Sequence, residues 1–273
     1  MELLLLEIAL VAYLLATGAF GLYVLTLHHV PRVLGPVLLF AAFLAHGCAV
    51  VARSLAGGYV AVTTEYEALS FFACLIVGVY LAAQLRYRLP AIGLVVAPLA
   101  FSVTLGAFVF YSGVRDLPPN LRSAWLPVHV TLAFLGNAVL ALAFCVSLVY
   151  LVHERQLKEK RVGPLMLRLP SLETLDQLNY QALVCGFPLL TLGILTGAIW
   201  GKYSWGRFWL WGEREVFSAI VWLLYAGLLQ GRMVAGWRGR RAATVTIVAF
   251  TVVLVSFLFG HVLFPSKHSG SFD

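Results

Sequence analysis

Charged residues are scarce in this sequence. Only 11% of its 273 residues are Asp, Glu, Lys or Arg, whereas 61% are hydrophobic, and the mean hydropathy is +0.91. A water-soluble domain carries roughly 25% charged residues, so this composition excludes an ordinary globular domain. Apolar runs that approach the roughly 20 residues needed to cross a bilayer recur along the chain. We therefore expect a single integral membrane domain over residues 1–273.

Cysteine and clustered basic charge are scarce as well. The four cysteines fall inside apolar runs, with no CxxC pair and no metal-ligand spacing, which disfavours a thiol redox motif or a zinc site. They are Cys48, Cys74, Cys145 and Cys185. The net charge is +7, but the basic residues are scattered over short loops between the apolar runs. A nucleic-acid interface needs a clustered basic face, so no nucleic-acid partner is predicted.

The apolar runs predict an all-α polytopic transmembrane helical bundle of about eight spans. The predicted spans cover residues 4–26, 33–52, 67–85, 90–111, 126–151, 181–200, 214–231 and 242–264. The first run resembles a signal peptide, but it carries Glu2 and Glu7 where a basic region would stand, and it is longer than the usual apolar core of such a peptide. We expect it to be retained as the first span.

The distribution of basic residues predicts the orientation in the membrane. Twelve of the 19 Lys and Arg residues fall on one side of the predicted spans and seven on the other. Because cytoplasmic loops carry an excess of Lys and Arg, the first side is predicted to be cytoplasmic. The chain is then expected in the bacterial cytoplasmic (inner) membrane, with both termini outside.

Two local patterns predict helix starts. Thr64 and Glu67 have the spacing of a capping box at the start of the third span. After the fifth span, RLPSLETLDQL places Ser171 as an N-cap before leucines spaced three apart. This second segment is either a short amphipathic helix on the inner membrane surface or a linker packed against the bundle, and both alternatives stay open.

Tryptophan is concentrated in one segment, WGKYSWGRFWLW, where four of the seven tryptophans fall within twelve residues. They are Trp200, Trp205, Trp209 and Trp211. One interpretation is an interfacial aromatic belt, although a belt spreads its aromatics over many helix ends. The other is an aromatic platform, opened by interleaved glycines, that binds a flat apolar ligand through a large contact area. The residues alone favour neither.

The stretch from Leu169 to Arg232 resembles the CcsA/CcmC/HemX superfamily of cytochrome c assembly proteins. The signature of that family has the form WGxxWxWDPKET, and this chain has WG, then Trp209, then Trp211, followed by GEREVF. The segments LPSLETLDQLNY, GFPLLTLGILTGAIW and EYEALSF are similar to family segments as well. The resemblance implies a haem-handling membrane protein that presents haem at the outer face for attachment to apocytochrome c.

The resemblance also implies haem ligands. Two outer histidines of the family ligate the iron, and His129 in WLPVHV and His268 in FPSKHSG match them, with His261 as the rival to His268. Imidazole is a common axial ligand of haem. His46, in the second span, is either a further functional residue or a hydrogen-bonded packing histidine. The cofactor-binding residues expected for haem are His129, His268, Trp200, Trp205, Trp209, Trp211 and His46, with His129 and His268 on the metal.

Other outer residues could border the haem. Its propionates prefer cations, and the outer cations that could meet them are Arg115, Arg122, Lys202 and Arg207. Glu65 and Tyr66 are alternatives for the edge of the haem cavity. The sequence does not distinguish among these residues.

The chain departs from the family pattern at two positions. Gly212 stands where the signature has Asp, and Gln230 stands where CcsA proteins have a histidine, whereas Glu215 matches the signature Glu. Two functions therefore stay open: haem presentation in cytochrome c biogenesis, or a non-catalytic HemX-like accessory role in haem sensing or tetrapyrrole synthesis. The first implies a ResB/CcsB-type membrane partner, apocytochrome c and membership of a haem-attachment complex, with no catalytic residue nominated. A solute transporter is disfavoured, because the spans lack paired charges and an inverted repeat.

Overall fold

The computed structural model describes residues 1–26, 28–87, 89–114, 116, 123–160 and 169–263, with the backbone alone at 213, 214 and 257–263. Within these ranges the chain forms eight α-helices and no strand, which confirms the predicted all-α architecture. The helices are α1 (Glu2–Thr26), α2 (His29–Gly57), α3 (Glu65–Tyr87), α4 (Pro90–Val109), α5 (Trp125–Lys158), α6 (Leu172–Trp205), α7 (Glu213–Met233) and α8 (Arg240–Leu263).

Each predicted span coincides with one of these helices. Among the described residues, α1 to α7 are long and apolar enough to cross a membrane. The predicted eighth span, residues 242–264, falls almost entirely on α8, which is 24 residues long. The chain is therefore a multi-pass membrane protein, and the orientation of its termini stays a prediction.

The segment before the sixth span departs from one of the two sequence interpretations. Ser171 is the N-cap as predicted, because its hydroxyl accepts the Thr174 N–H at 3.2 Å. The helix that follows, however, runs unbroken from Leu172 to Trp205, so a separate amphipathic helix on the membrane surface is wrong. The sequence has no Gly or Pro between Leu172 and Cys185 that would end the helix. Leu175 and Leu178 of this segment are buried in the core.

The helices pack as two groups that meet along α3 and α5. In the first group α1 contacts α2 and α4, and α3 contacts α4. In the second group α5 contacts α6 and α8, and α7 contacts α8. At the junction the ring of Phe72 on α3 stacks on Phe134 of α5, with the ring centroids 5.6 Å apart. The start of α3 and the start of α5 therefore lie at the same end of the bundle.

Glycines allow the backbones of α5 and α6 to touch. A Cβ added to Gly136 would lie 2.6 Å from the backbone nitrogen of Leu190. A Cβ added to Gly193 would lie 2.7 Å from Cα of Ala133. Such close approach is typical of helix pairs in membranes, where association depends on packing and hydrogen bonds because lipid is as apolar as the helices. The two glycine contacts fix the position of α5 relative to α6 along the helix axes.

A buried arginine joins the first helix group at one end of the bundle. The Arg53 side chain is 3% exposed, and its Nε and Nη1 each lie 2.9 Å from a carboxylate oxygen, of Glu67 and Glu2 respectively. Its Nη2 donates to the carbonyls of Ser112 and Gly113, both at 3.0 Å. This set, the Arg53 cluster, links the start of α1, the end of α2, the start of α3 and the segment after α4. The sequence did not indicate it, because its members are far apart along the chain.

Glu67 has a wider role than the capping box that the sequence predicted. The box itself is confirmed, since the Glu67 N–H donates to Thr64 Oγ1 and the Thr64 N–H donates to Glu67 Oε2, both at 3.2 Å. The same carboxylate also accepts the N–H and hydroxyl of Thr63 and the hydroxyl of Tyr59. Burial and the negative charge of Glu67 raise the pKa of Tyr59, which keeps this hydroxyl a donor.

A second buried arginine joins the other helix group at the opposite end. Arg232 at the end of α7 donates Nη2–H to Asp176 Oδ2 at 2.9 Å and Nη1–H to Asp176 Oδ1 at 3.1 Å. Oδ1 of Asp176 also accepts the N–H of Gly239, just before α8, at 2.8 Å. The amide of Asn179 on α6 donates to Ser147 of α5 at 2.8 Å. These bonds hold the ends of α5 to α8 together.

The Arg53 cluster predicts a large effect of removing its cation. Arg53→Met would leave Glu2 and Glu67 facing each other without a cation, and breaking a buried pair in this way costs about 3–5 kcal/mol. We expect the variant to unfold at a clearly lower temperature in detergent, measured by circular dichroism. Arg155→Met is the control, because Arg155 pairs with Glu159 on an exposed helix face and should have little effect. Equal changes in the two variants would contradict a stabilising role of the cluster.

Candidate functional site

His129 lies one turn into α5 and is held by α6. Its Nδ1 is 2.7 Å from the carbonyl oxygen of Gly193. A carbonyl can only accept, so Nδ1 carries the proton, and in a neutral imidazole Nε2 then carries the lone pair. Histidines that bind metals are commonly oriented by such a second bond to a carbonyl or carboxylate. The geometry therefore leaves the lone pair of Nε2 as the one that could bind a metal.

The face of α6 that receives His129 is shaped by small residues. A Cβ added to Gly197 would lie 2.5 Å from Cε1 of the imidazole, so only glycine leaves room for the ring. The indole of Trp200 lies nearly parallel to the imidazole, at an interplanar angle of 12° with the ring centroids 6.2 Å apart. Gly193, Gly197 and Trp200 are three or four residues apart, so they share one face of the helix.

Four tryptophans of this region form two edge-to-face pairs. We call the four together the tryptophan surface: Trp200, Trp205, Trp209 and Trp211. Trp200 meets Trp205 with centroids 4.6 Å apart, and Trp209 meets Trp211 at 6.1 Å. Trp211 is 79% exposed, whereas the indole nitrogens of Trp200 and Trp209 are buried and have no hydrogen-bond partner among the described residues. A buried N–H without an acceptor costs about 1–3 kcal/mol. A ligand that supplies acceptors would recover this free energy.

The loop between α6 and α7 has a defined backbone. α6 ends at Trp205 and is capped by Gly206, whose φ of +73° suits glycine and whose N–H donates to the Lys202 carbonyl at 3.0 Å. Trp211 also has a positive φ, +59°, which costs a bulky residue about 1–3 kcal/mol. Oε2 of Glu215 accepts the N–H groups of Leu210 and Gly212 at 2.9 and 2.8 Å. The match to the signature indicated Glu215 but not this role, for which its place three residues after the N-cap Gly212 was the available signal.

The candidate cations near this surface have different positions. Lys202 lies over the ring of Phe208, with Nζ 5.4 Å from the centroid, and donates to the Gly206 carbonyl at 3.0 Å. Arg207 is exposed on the loop. Arg115 and Arg122 lie outside the described residues. Lys202 and Arg207 are therefore the two predicted cations that the structure places beside the tryptophan surface.

The predicted edge residues at the start of α3 belong to a different environment. The ring of Tyr66 packs edge-on against Tyr111 at 5.1 Å, and the guanidinium of Arg53 lies 5.4 Å from the Tyr66 centroid. Tyr66 is thus part of the packing around the Arg53 cluster. Glu65 stands in the first turn of α3 beside it.

His46 is placed by its hydrogen bonds in the core of the first helix group. Nδ1 lies 3.0 Å from the hydroxyl of Tyr13 on α1, and Nε2 lies 2.9 Å from that of Ser70 on α3. The side chain has no exposed surface. Both nitrogens are engaged, which fits the hydrogen-bonded packing histidine that the sequence left as an alternative, and a role in haem binding stays a prediction. Its hydrogen bonds are to Tyr13 and Ser70, and none of them involves His129.

The second haem ligand predicted from the sequence is His268, with His261 as the alternative. His268 falls outside the described residues. His261 stands near the C-terminal end of α8, and the structure describes only its backbone. The choice between these two histidines stays a prediction from the sequence.

Comparison with known proteins identifies the family. The family model described as "Cytochrome C assembly protein" matches residues 62–266, a range that includes His129 and the whole tryptophan surface and excludes His46 and His268. A cytochrome c biogenesis protein CcsA of Microcystis aeruginosa is 30% identical over 266 residues, with 80% of this chain and 81% of the relative covered. The CcsA of Thermosynechococcus vestitus is 32% identical over 257 residues, with the same coverage.

A solved structure has the same fold over nearly the whole chain. It is titled "Cytochrome c Heme Lyase CcmF", and it matches with a TM-score of 0.66 and 20% sequence identity. The match covers 95% of this chain and 49% of the other, so this chain spans about half the length of that lyase. The resemblance inferred from the tryptophan-rich signature is thereby confirmed: the chain belongs to the cytochrome c assembly protein family.

Proposed function

We propose that this chain binds haem against the tryptophan surface and holds it for attachment to apocytochrome c. The observation that carries the proposal is the bond from His129 Nδ1 to the Gly193 carbonyl, which leaves Nε2 to ligate the iron. The names of the relatives, cytochrome c biogenesis protein CcsA and cytochrome c haem lyase, support this use. They do not favour the accessory role in tetrapyrrole synthesis.

The tryptophan surface has the chemistry that a haem requires. Its indoles offer the apolar area that a porphyrin plane covers. The two indole N–H groups without partners, on Trp200 and Trp209, would donate to the haem propionates, which are strong acceptors. Lys202 and Arg207 add positive charge beside the same surface. The four tryptophans and His129 therefore fit haem as a cargo.

The reaction that follows binding is the addition of apocytochrome thiols across the haem vinyl groups, which is chemistry that the haem and the thiols supply. The residues of this chain hold and orient the haem: His129 sets the position of the iron, and the tryptophan surface sets the tilt of the plane. We propose His268 as the second ligand, with His261 as the alternative. A ResB/CcsB-type partner would complete the attachment complex at the outer face of the bacterial cytoplasmic membrane.

Loss of the His129 imidazole tests the proposal directly. We expect wild-type protein, purified in detergent after expression with haem supplied, to carry haem with the absorption spectrum of bis-histidine ligation. His129→Ala should lose that spectrum and most of the haem, since the axial ligand is gone. His28→Ala is the control, because His28 is exposed at the start of α2, near the opposite end. A wild-type protein without haem, or an unchanged spectrum in His129→Ala, would refute the assignment.

Separate variants at the C-terminus decide the second ligand. His268→Ala and His261→Ala are compared in the same assay. Only the variant that removes the ligand should convert the spectrum to that of a five-coordinate haem. If neither does so, the second ligand comes from elsewhere.

Gly197 provides a test that leaves every candidate ligand in place. In Gly197→Ala the new methyl group would stand 2.5 Å from Cε1 of His129, so the ring must turn away and lose the Gly193 carbonyl. Removing the partner that orients a metal ligand typically costs 10–100-fold in affinity, so we expect haem binding to weaken by at least about tenfold in a titration. Gly227→Ala on α7 is the matched control, because a Cβ there meets nothing within 4 Å. Equal affinities of the two variants would contradict the proposed orientation of His129.

A further inference from the structure

Trp211 has a backbone conformation that needs an external support. Its φ of +59° lies in the left-handed region, which a large L-residue rarely adopts. The other non-glycine residue with positive φ among the described residues is Lys160, just after the end of α5. The polar groups next to Trp211 are the ones that can hold its backbone in this conformation.

The support comes from one carboxylate oxygen. Oε2 of Glu215 accepts the N–H of Leu210 at 2.9 Å and the N–H of Gly212 at 2.8 Å. The first N–H belongs to the peptide unit between Trp209 and Leu210 and the second to the unit between Trp211 and Gly212, so the same atom ties the backbone before and after Trp211. Hydrogen bonds to a charged acceptor are stronger than neutral ones. The carboxylate thereby opposes relaxation of Trp211 to an ordinary extended or helical φ.

The carboxylate also connects the loop to a rigid element. Glu215 belongs to the first turn of α7, whose N-cap is Gly212. Trp211 meets Trp209 edge-on, and the buried indole N–H of Trp209 has no partner among the described residues. The direction in which Trp211 leaves the backbone is therefore set from α7 through Glu215. A site is held accurately when a second layer of groups locks the residues that touch the ligand.

We propose that Glu215 is a positioning residue for the tryptophan surface. It holds Trp211 at its positive φ, so that the Trp209–Trp211 pair is preorganised to contact the porphyrin, and it does not touch the haem itself. The inference rests on the proposed haem binding for its ligand. It differs from that proposal in predicting a change of loop geometry that is measurable without haem.

The first experiment compares Glu215→Ala, Glu215→Gln and the control Glu173→Ala in full-length protein in detergent. Glu173 is an exposed acid in the first turn of α6, at the opposite end of the bundle. Fluorine NMR of protein labelled with 5-fluorotryptophan reports each of the seven indoles. In the absence of haem we expect the Trp209 and Trp211 resonances to move in Glu215→Ala, to move less in Glu215→Gln, and to stay in place in the control.

Haem titration of the same variants gives the functional readout. Glu215→Ala should weaken haem binding by about tenfold, the equivalent of one good hydrogen bond. The position of the absorption bands of bound haem should stay that of wild type, because His129 is intact. A loss of affinity with altered ligation would mean that Glu215 acts on the iron site, and the proposal would be overturned.

A double-mutant cycle tests whether Glu215 acts by supporting the positive φ of Trp211. Glycine accepts a positive φ without strain, so in a Trp211→Gly background the support from Glu215 is no longer needed. There, Glu215→Ala should change haem affinity by less than about twofold, against about tenfold in the wild-type background. Equal losses in both backgrounds would overturn the proposal. If wild-type protein bound no haem, the proposed function would fail, and the fluorine spectra would still decide whether Glu215 holds the loop.

Discussion

The contact on which the rest of the site depends is the direct approach of the α5 and α6 backbones. It exists because Gly136 and Gly193 have no side chains at the points of contact. In lipid, helices are not driven together by water, so packing of this kind has to supply the association. The same contact places the Gly193 carbonyl 2.7 Å from Nδ1 of His129. The second helix group and the histidine that would hold the iron are thus fixed by one interface.

Two buried arginines link helix ends of the bundle through ion pairs and hydrogen bonds. An uncompensated charge in the bilayer is costly, so each arginine stands near helix ends and is bound to carboxylate and carbonyl oxygens. Arg53 is neutralised by Glu67 and Glu2 and also binds two carbonyls after α4. Arg232 is neutralised by Asp176, which in turn accepts the N–H of Gly239. One cluster fastens α1 to α4 and the other α5 to α8, at opposite ends.

Features that depend on local sequence could be predicted, and features that depend on distant partners could not. The spans follow from apolar runs, and the caps at Ser171 and Thr64 follow from residues three apart. The Arg53 cluster joins Arg53 to residues 14 to 60 positions away, such as Glu67 and Gly113, and no local pattern indicates such pairings. His129 was found through the family resemblance, whereas its bond to a carbonyl 64 residues away required the structure. The choice between a surface helix and a packed linker after α5 stayed open because leucine spacing alone does not show where a helix ends, and the structure continues the segment into α6.

The departure from the family signature at Gly212 lies at the cap of the helix that holds the loop. Gly212 is the N-cap of α7, and glycine offers no side-chain acceptor there, whereas Asp would supply one. The N–H groups on both sides of Trp211 are instead bound by the carboxylate of Glu215. A histidine fixed between two rigid helices thus stands beside an aromatic loop whose shape depends on one acidic side chain. In the proposed function the haem is passed to another chain, and this division would keep the iron ligand rigid and leave the aromatic surface adjustable by small changes of free energy.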